Sequence, residues 1–444
     1  MNFGHFVVNL LFVSHLISTV QLYGKGRDLI MANRYVQAIL DMLEQCPVID
    51  THEHLENECR QPRFSVLSDY TRHYFSSDLI SAGMNPSIIE RLACEDLSIR
   101  EKWDLVAPYW EYCRQTGYGR MLDLSANRLY GVDEINADTI EIVEMGFRSL
   151  REKPGYGERI LREICHIERV VNNIWHLEGD DLNGLFWFVT QIDKWVSFQA
   201  ETELMDKLAS MSHVNEWVEL AVQTLIDDFD MRGAKAIKLA VAYSRSLAFA
   251  NVTKEDAQKA FDKMRMTNED GKDAQDYVLH AIMQWANERN IIVQIHTGYQ
   301  EGNDNIIKNS NPEPLNELIR LYPNIRFDLF HIGFPYQTIT CALGKMYPNV
   351  CINMCWAHIL TPMLARNMLM EWITAVPSNK LFAFGGDMLF YDGVIGHLMM
   401  TKENVARALG ALAEEGYMPL RRAEQIARWL FYDNPKNFYD GVHL

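Results

Sequence analysis

The residues best suited to chemistry in this chain are histidines and acids that close short apolar runs. His52 and His54 close Pro47-Val-Ile-Asp-Thr-His-Glu-His54. His296 closes Ile291-Ile-Val-Gln-Ile-His296, and His331 closes Arg326-Phe-Asp-Leu-Phe-His331. Asp387 closes Leu381-Phe-Ala-Phe-Gly-Gly-Asp387. Side chains alternate along a strand, so His-x-His puts both imidazoles on one side. Two neutral imidazoles on one face can chelate a divalent metal. Alone the pair is a weak signal; three more potential ligands at other run ends strengthen it. Lys238, inside the apolar run Ala236-Ile-Lys-Leu-Ala240, is a sixth candidate. An ammonium there is costly to bury without a partner or a chemical change.

Such runs, β-branched or aromatic and followed by loop residues, read as buried parallel strands with polar C-terminal ends. The pattern predicts a helix from Met31 to Gln45, then strands at Val48–Asp50, Ile167–Val171, Leu185–Val189, Ala236–Ala240, Ile291–Ile295, Arg326–Phe330, Val350–Met354 and Leu381–Phe384. Helices are expected over Thr202–Met231, Ala274–Arg289, Pro314–Leu321 and Leu364–Thr374, with two more across Lys402–Tyr439. Eight strands alternating with helices predict an α/β fold, a (β/α)8 TIM-type barrel whose active site gathers at the strand C-termini. Residues 55–155 read as a helical insertion after strand 1, placed to cap the barrel mouth. Residues 31–444 form the barrel unit on this reading; residues 1–30 are an extension that is disordered, signal-like or upstream of the true start.

Composition narrows the function. A chain of 444 residues, 48% hydrophobic and 23% charged, is a globular protein of enzyme size. A net charge of -17 argues against nucleic acid and anionic membranes as partners. It permits an anionic substrate, because a metal reverses the local field. Eight scattered cysteines without a Cys-x-x-Cys pair suggest reduced structural thiols and a cytoplasmic location. Cys351 and Cys355 would sit roughly 13 Å apart on one strand, too far to grip one zinc together. No Gly-x-Gly-x-x-Gly after a strand, P-loop or Gly-x-Ser-x-Gly occurs.

The order His-x-His, Lys, His, His, Asp on strands 1, 4, 5, 6 and 8 resembles the amidohydrolase superfamily of metal-dependent barrels. The similar branch is that of the uronate isomerases, related decarboxylases and the amidohydrolase domain joined to glutamine-synthetase-like proteins. Val48-Ile-Asp-Thr-His-Glu-His-Leu55, Ile237-Lys-Leu-Ala-Val-Ala-Tyr243, His296-Thr-Gly298, Phe330-His-Ile-Gly333, Phe384-Gly-Gly-Asp387 and Asp433-Asn-Pro-Lys-Asn-Phe-Tyr439 carry the resemblance, which covers roughly residues 45–440. It implies that His52, His54 and Asp387 bind a first metal, and that Asp387 also takes a proton from water at the metal or from substrate. His296 and His331 would bind a second metal, or contact metal and substrate in one-metal members. Lys238 would be carboxylated and bridge two metals, or remain an ammonium that meets a substrate carboxylate. His and carboxylate ligands suit zinc, with manganese and iron compatible.

Supporting residues follow the strand ends. Arg245 suits bidentate carboxylate recognition; its bland alternative is a surface arginine. Tyr243, Tyr299, Glu301 and Tyr336 sit where they could line a pocket or pack at its rim. Trp356 and His358 could supply an aromatic floor or proton shuttle, although a lone histidine is more often structural. His73, His166, His176, His213, His280 and His397 lack a partner pattern and read as structural. The expectation is a metal-dependent hydrolase acting on a C–N or C–O bond, an amide or lactone, of a small carboxylated substrate. The alternative is uronate isomerisation or decarboxylation at the same site. A non-catalytic barrel is the third reading, and the full ligand set argues against it. The resemblance also implies a homo-oligomer.

Overall fold

The computed structural model describes residues 34–56, 65–174, 182–267 and 271–441. The expected 1–30 extension and His176 lie outside them. Eight parallel strands follow one another in sequence order around a single sheet: β1 (Val48–Glu53), β2 (Ile167–Asn172), β3 (Phe186–Gln191), β4 (Ala236–Leu239), β5 (Ile292–Ile295), β6 (Arg326–Leu329), β7 (Val350–Asn353) and β8 (Leu381–Phe382). The sheet closes where β1 meets the chain beyond β8. Thr51 N–H donates to the Phe384 carbonyl at 3.1 Å, and Asp387 N–H donates to the His52 carbonyl at 2.8 Å. The fold is a (β/α)8 barrel.

The barrel interior explains why the strands read as unbroken apolar runs. Val171, Val189, Ala236, Ile292, Cys351 and Phe382 form its lower layer, closed from below by Phe438 and Tyr439 of the C-terminal helix Asn434–Tyr439. The Tyr439 hydroxyl reaches further in. It donates to Asp328 at 2.8 Å and accepts from Gln294 at 2.6 Å. Polar side chains thus begin one layer above the apolar plug, and the site lies above them.

Several boundaries differ from the sequence reading. β1 runs three residues further than expected, to Glu53, so His52 lies within it. The expected helix Thr202–Met231 is two, Thr202–Ser210 and Val214–Asp230. Met211 is extended, and Glu216 restarts the helix by accepting the N–H groups of Ser212 and His213 at 3.0 and 2.8 Å. A further helix, Lys254–Thr267, lies between β4 and β5. The helix after β8 begins at Tyr391, eleven residues before the expected Lys402, and runs to Glu414. Between β1 and β2 the chain is helical from Val66 to Arg159, broken by short turns. Among the described residues, no helix is long and apolar enough to cross a membrane.

Candidate metal centre and its cavity

Each candidate ligand stands at or just past the C-terminal end of a barrel strand. His52 lies in β1 and His54 follows it; His296 follows β5, His331 β6 and Asp387 β8. His331 and Asp387 sit in the left-handed backbone region, at φ 66° and 57°. Residues other than glycine adopt that region at a cost of about 1–3 kcal/mol, and such strain gathers at functional sites. Here the turn swings both side chains back over the barrel mouth.

Asp387 is the hub. Its Oδ1 lies 3.5 Å from His52 Nε2 and 3.2 Å from His54 Nε2, and its Oδ2 lies 3.7 Å from His331 Nδ1. The His54 ring is fixed by Nδ1–H donating to the Asn173 carbonyl at 2.8 Å, which leaves Nε2 with a lone pair toward Asp387. A backbone carbonyl that sets the tautomer of a ligating histidine is the usual support of a metal site. One ligand atom from each of His52, His54 and Asp387 falls within 4.8 Å of the others, as does one from each of His331, Cys355 and Asp387. The donor set, two imidazoles and a carboxylate, fits a divalent metal.

Electrostatics agree with that chemistry. Burial, and then the Lys238 charge, holds His52 far below the ordinary imidazole range and His296 at about 3. Burial and the neighbouring His296 depress His331. These rings are therefore neutral, the form that binds metal. Burial opposes ionisation of Asp387, but the close approach of His54, His52 and His331 outweighs it and holds the carboxyl well below its usual range, so it is ionised. His296 Nε2 donates to the Tyr299 carbonyl at 2.9 Å, and its ring centroid is 4.3 Å from that of His331.

Lys238 is 2% exposed, and its Nζ has no hydrogen-bond partner. It lies 3.7 Å from the Phe330 ring centroid. Burial lowers its pKa to about 8. The ligands and Lys238 surround a cavity of about 350 Å³, completed by His73, Tyr74, Asn173, Gln191, Asp193, Ala240, Tyr243, Glu301 and Leu389. A larger recess of about 810 Å³ lies outside and shares Tyr74 and Glu301 with it.

The other expected residues divide. Tyr243 lines the cavity, and its hydroxyl accepts the Glu301 N–H at 3.0 Å. Tyr299 and Trp356 line the outer recess, Trp356 with its ring centroid 5.5 Å from that of His331. Arg245 is not brought to the site. Its guanidinium is committed to Asp276 at 2.5 Å, Gln275 at 2.8 Å and the Ala248 carbonyl at 3.1 Å, an anchor for the helix Lys272–Glu288. Tyr336 lines neither cavity and donates to the Ile307 carbonyl at 3.4 Å. His358 is fully buried beside Asn404, away from the inner cavity. His73, read as structural, instead lines that cavity, and burial lowers its pKa to about 3. It precedes the helix Tyr74–Ser81, inside the insertion, where no strand pattern points to it.

Sequence reasoning also missed the support beneath Asp387. Asp50 accepts the N–H groups of His52 and Gly386 at 3.1 and 3.2 Å, and Glu53 accepts that of Met388 at 2.6 Å. Both acids are fully buried. Burial raises Asp50 to about 7 and Glu53 well above its usual range, so the pair holds a proton near neutrality. The signal was present, since Asp50 and Glu53 flank His52 in the same run.

Comparison with known proteins follows the same line. The amidohydrolase family model matches residues 188–441. Uronate isomerase from Thermotoga petrophila is 19% identical over 470 aligned residues, covering 94% of this chain and 99% of that protein. Protein fluG from Emericella nidulans is 26% identical over 152 residues; the match takes in 33% of this chain and only 17% of fluG. The crystal structure of uronate isomerase from Thermotoga maritima superposes with a TM-score of 0.77 at 15% identity, covering 91% of this chain and 97% of that one.

Proposed function

The chain belongs to the amidohydrolase family, and on that premise we propose that it is a metal-dependent hydrolase that cleaves an amide or lactone bond of a small carboxylated substrate. The observation that carries the reading is the convergence of His52, His54 and His331 on the two oxygens of the buried, ionised Asp387. His52, His54 and Asp387 would hold a divalent ion, which would supply a Lewis acid and lower the pKa of water from about 16 to about 7. Asp387 takes the proton of the attacking water, as a carboxylate within reach can. Asp387 then returns that proton to the leaving group, with neutral His331 3.7 Å away. Lys238, mostly charged at neutral pH and without an ion-pair partner, meets the substrate carboxylate, the role first expected of Arg245. Zinc suits the donor set best. The free cysteines among the described residues suit a reducing compartment, and we place the enzyme in the cytoplasm.

A second reading has its own support. The uronate isomerases match over nearly the whole chain, insertion included. The same ligands and Lys238 would then serve aldose–ketose exchange of a sugar acid. One experiment separates the two. Zinc-loaded protein is offered amides, lactones and uronates in water enriched in heavy oxygen. Heavy oxygen in a product carboxylate supports hydrolysis. Interconversion of a uronate without solvent oxygen at the carboxylate selects isomerisation, and turnover of nothing by metal-loaded protein defeats both.

A further inference from the structure

We propose that His331, Cys355 and Asp387 form a second divalent-cation site in which the Cys355 sulfur is a ligand. The proposal rests on the metal-dependent reading above. It departs from the expectation that His296 and His331 hold the second ion with Lys238 as the bridge.

The geometry points to Cys355. β7 ends at Asn353, so residue 355 has left the strand and stands at the level of the histidines, whereas Cys351 belongs to the apolar plug below. One ligand atom from each of His331, Cys355 and Asp387 falls within 4.8 Å of the others. Asp387 offers Oδ1 to His52 and His54 and Oδ2 toward His331, so one carboxylate can serve two ions. A Cβ on Gly385 would lie 2.9 Å from Cys355 Sγ, so only glycine leaves the thiol this place beside the Asp387 loop. His331 Nδ1 also lies 3.3 Å from the Cys355 carbonyl, which ties the two residues together. His296, by contrast, falls in neither ligand cluster.

Occupation forms a metal–sulfur bond, breaks the S–H bond and releases the proton to solvent, with no change of oxidation state. A thiolate biases the site toward zinc and cobalt over manganese. Lys238 Nζ, buried and unpartnered in the same chamber, is then free for substrate.

The test is cobalt(II) titration of the metal-free full chain, read by near-ultraviolet thiolate-to-cobalt absorption and by bound metal per chain. We expect two ions in the wild type, with the charge-transfer band rising with one of them. Cys355→Ala should bind one ion and lose the band, while Cys351→Ala keeps both ions and the band. Cobalt bound without the band, or two ions still held by Cys355→Ala, overturns the second site and leaves the first intact. Failure of the wild type to bind any cobalt overturns the metal reading itself. The wild-type band stands without the variants, so misfolding of Cys355→Ala would not shield the proposal.

Discussion

At the scale of single residues, Asp387 and Asp328 are both buried carboxyls, and their surroundings give them opposite charge states. Asp387 has three imidazoles around it and is ionised. Asp387→Asn keeps the shape and removes the charge. We expect bound metal to fall and kcat/KM to drop on the order of 10²–10⁴-fold, the usual worth of a positioned base. Metal content and kinetics on one preparation check this; a variant with full activity would remove Asp387 from the chemistry. Asp328, in β6, is raised to about 7 because burial outweighs its hydrogen bonds from Tyr439 and Asn353. The unfolded carboxyl ionises near pH 4. Between those values the fold holds a proton that the unfolded chain has lost. The contribution to stability is therefore full below about pH 4 and is lost as the pH rises through about 7. Asp328→Asn mimics the protonated acid and should gain on the wild type by up to about 4 kcal/mol between those pH values, then hold level. Urea unfolding across that range gives the difference; a pH-independent gap would mean that Asp328 is ionised throughout.

At the scale of elements, the loop after β8 is held from beneath by β1. A Cβ at Gly386 would lie 1.9 Å from Glu53 Oε1, a contact no side chain tolerates. Gly386→Ala must push Glu53 from the Met388 N–H and shift Asp387. We expect metal affinity to weaken about 10–100-fold, as when groups supporting metal ligands are lost, with the circular dichroism unchanged. Unaltered affinity in a competition assay with a chelator would mean that the loop adjusts freely. This support also shows what a sequence discloses. The eight strands were legible because strands buried on both faces must be apolar, and a polar residue ending such a run is conspicuous. His52, His54, His296, His331 and Asp387 all carried that mark. Lys238 carried it too, as a charge inside a run. Arg245 misled because its position just past β4 was readable but its partner was not. Asp276 lies thirty-one residues away on a helix, and nothing local pairs them. His73 and Cys355 were hidden for related reasons. One reaches the cavity through the tertiary placement of the insertion, and the other comes beside His331 and Asp387 through the turn that follows β7, in which Trp356 adopts φ 65°.

At the scale of the whole molecule, the helices between β1 and β2 must stay fixed to the barrel, since His73 and Tyr74 form part of the cavity wall. Arg151 is the most buried of the arginines that join the insertion to the barrel. Arg151, at the end of the helix Ile140–Arg151, donates through Nη2 to Asp69 at 3.0 Å and to Asp392 at 3.1 Å. Asp69 belongs to the same helical segment, whereas Asp392 opens the long helix after β8, five residues beyond Asp387. Tyr70 and Tyr130 add hydroxyl donors to Asp392 at 3.1 and 2.5 Å, and Arg72 donates to the Leu389 carbonyl at 2.7 Å. Removing the arginine would strand the Asp392 carboxylate in the interior, while Asp69 would keep Arg72 at 2.9 Å. A broken buried pair costs about 3–5 kcal/mol, mostly through the uncompensated charge. Arg151→Met should therefore lower stability by about that much in urea unfolding, and expose the 65–151 segment to limited proteolysis. Adding Asp392→Asn should recover part of the loss, because the stranded charge is then gone. Arg100→Met, which breaks the exposed pair with Glu141, should leave the unfolding midpoint where it was. If Arg151→Met and Arg100→Met unfold alike, the cap is held by apolar packing rather than by this clamp. If proteolysis instead frees the segment and the cavity loses metal as well, the clamp keeps the catalytic chamber shut.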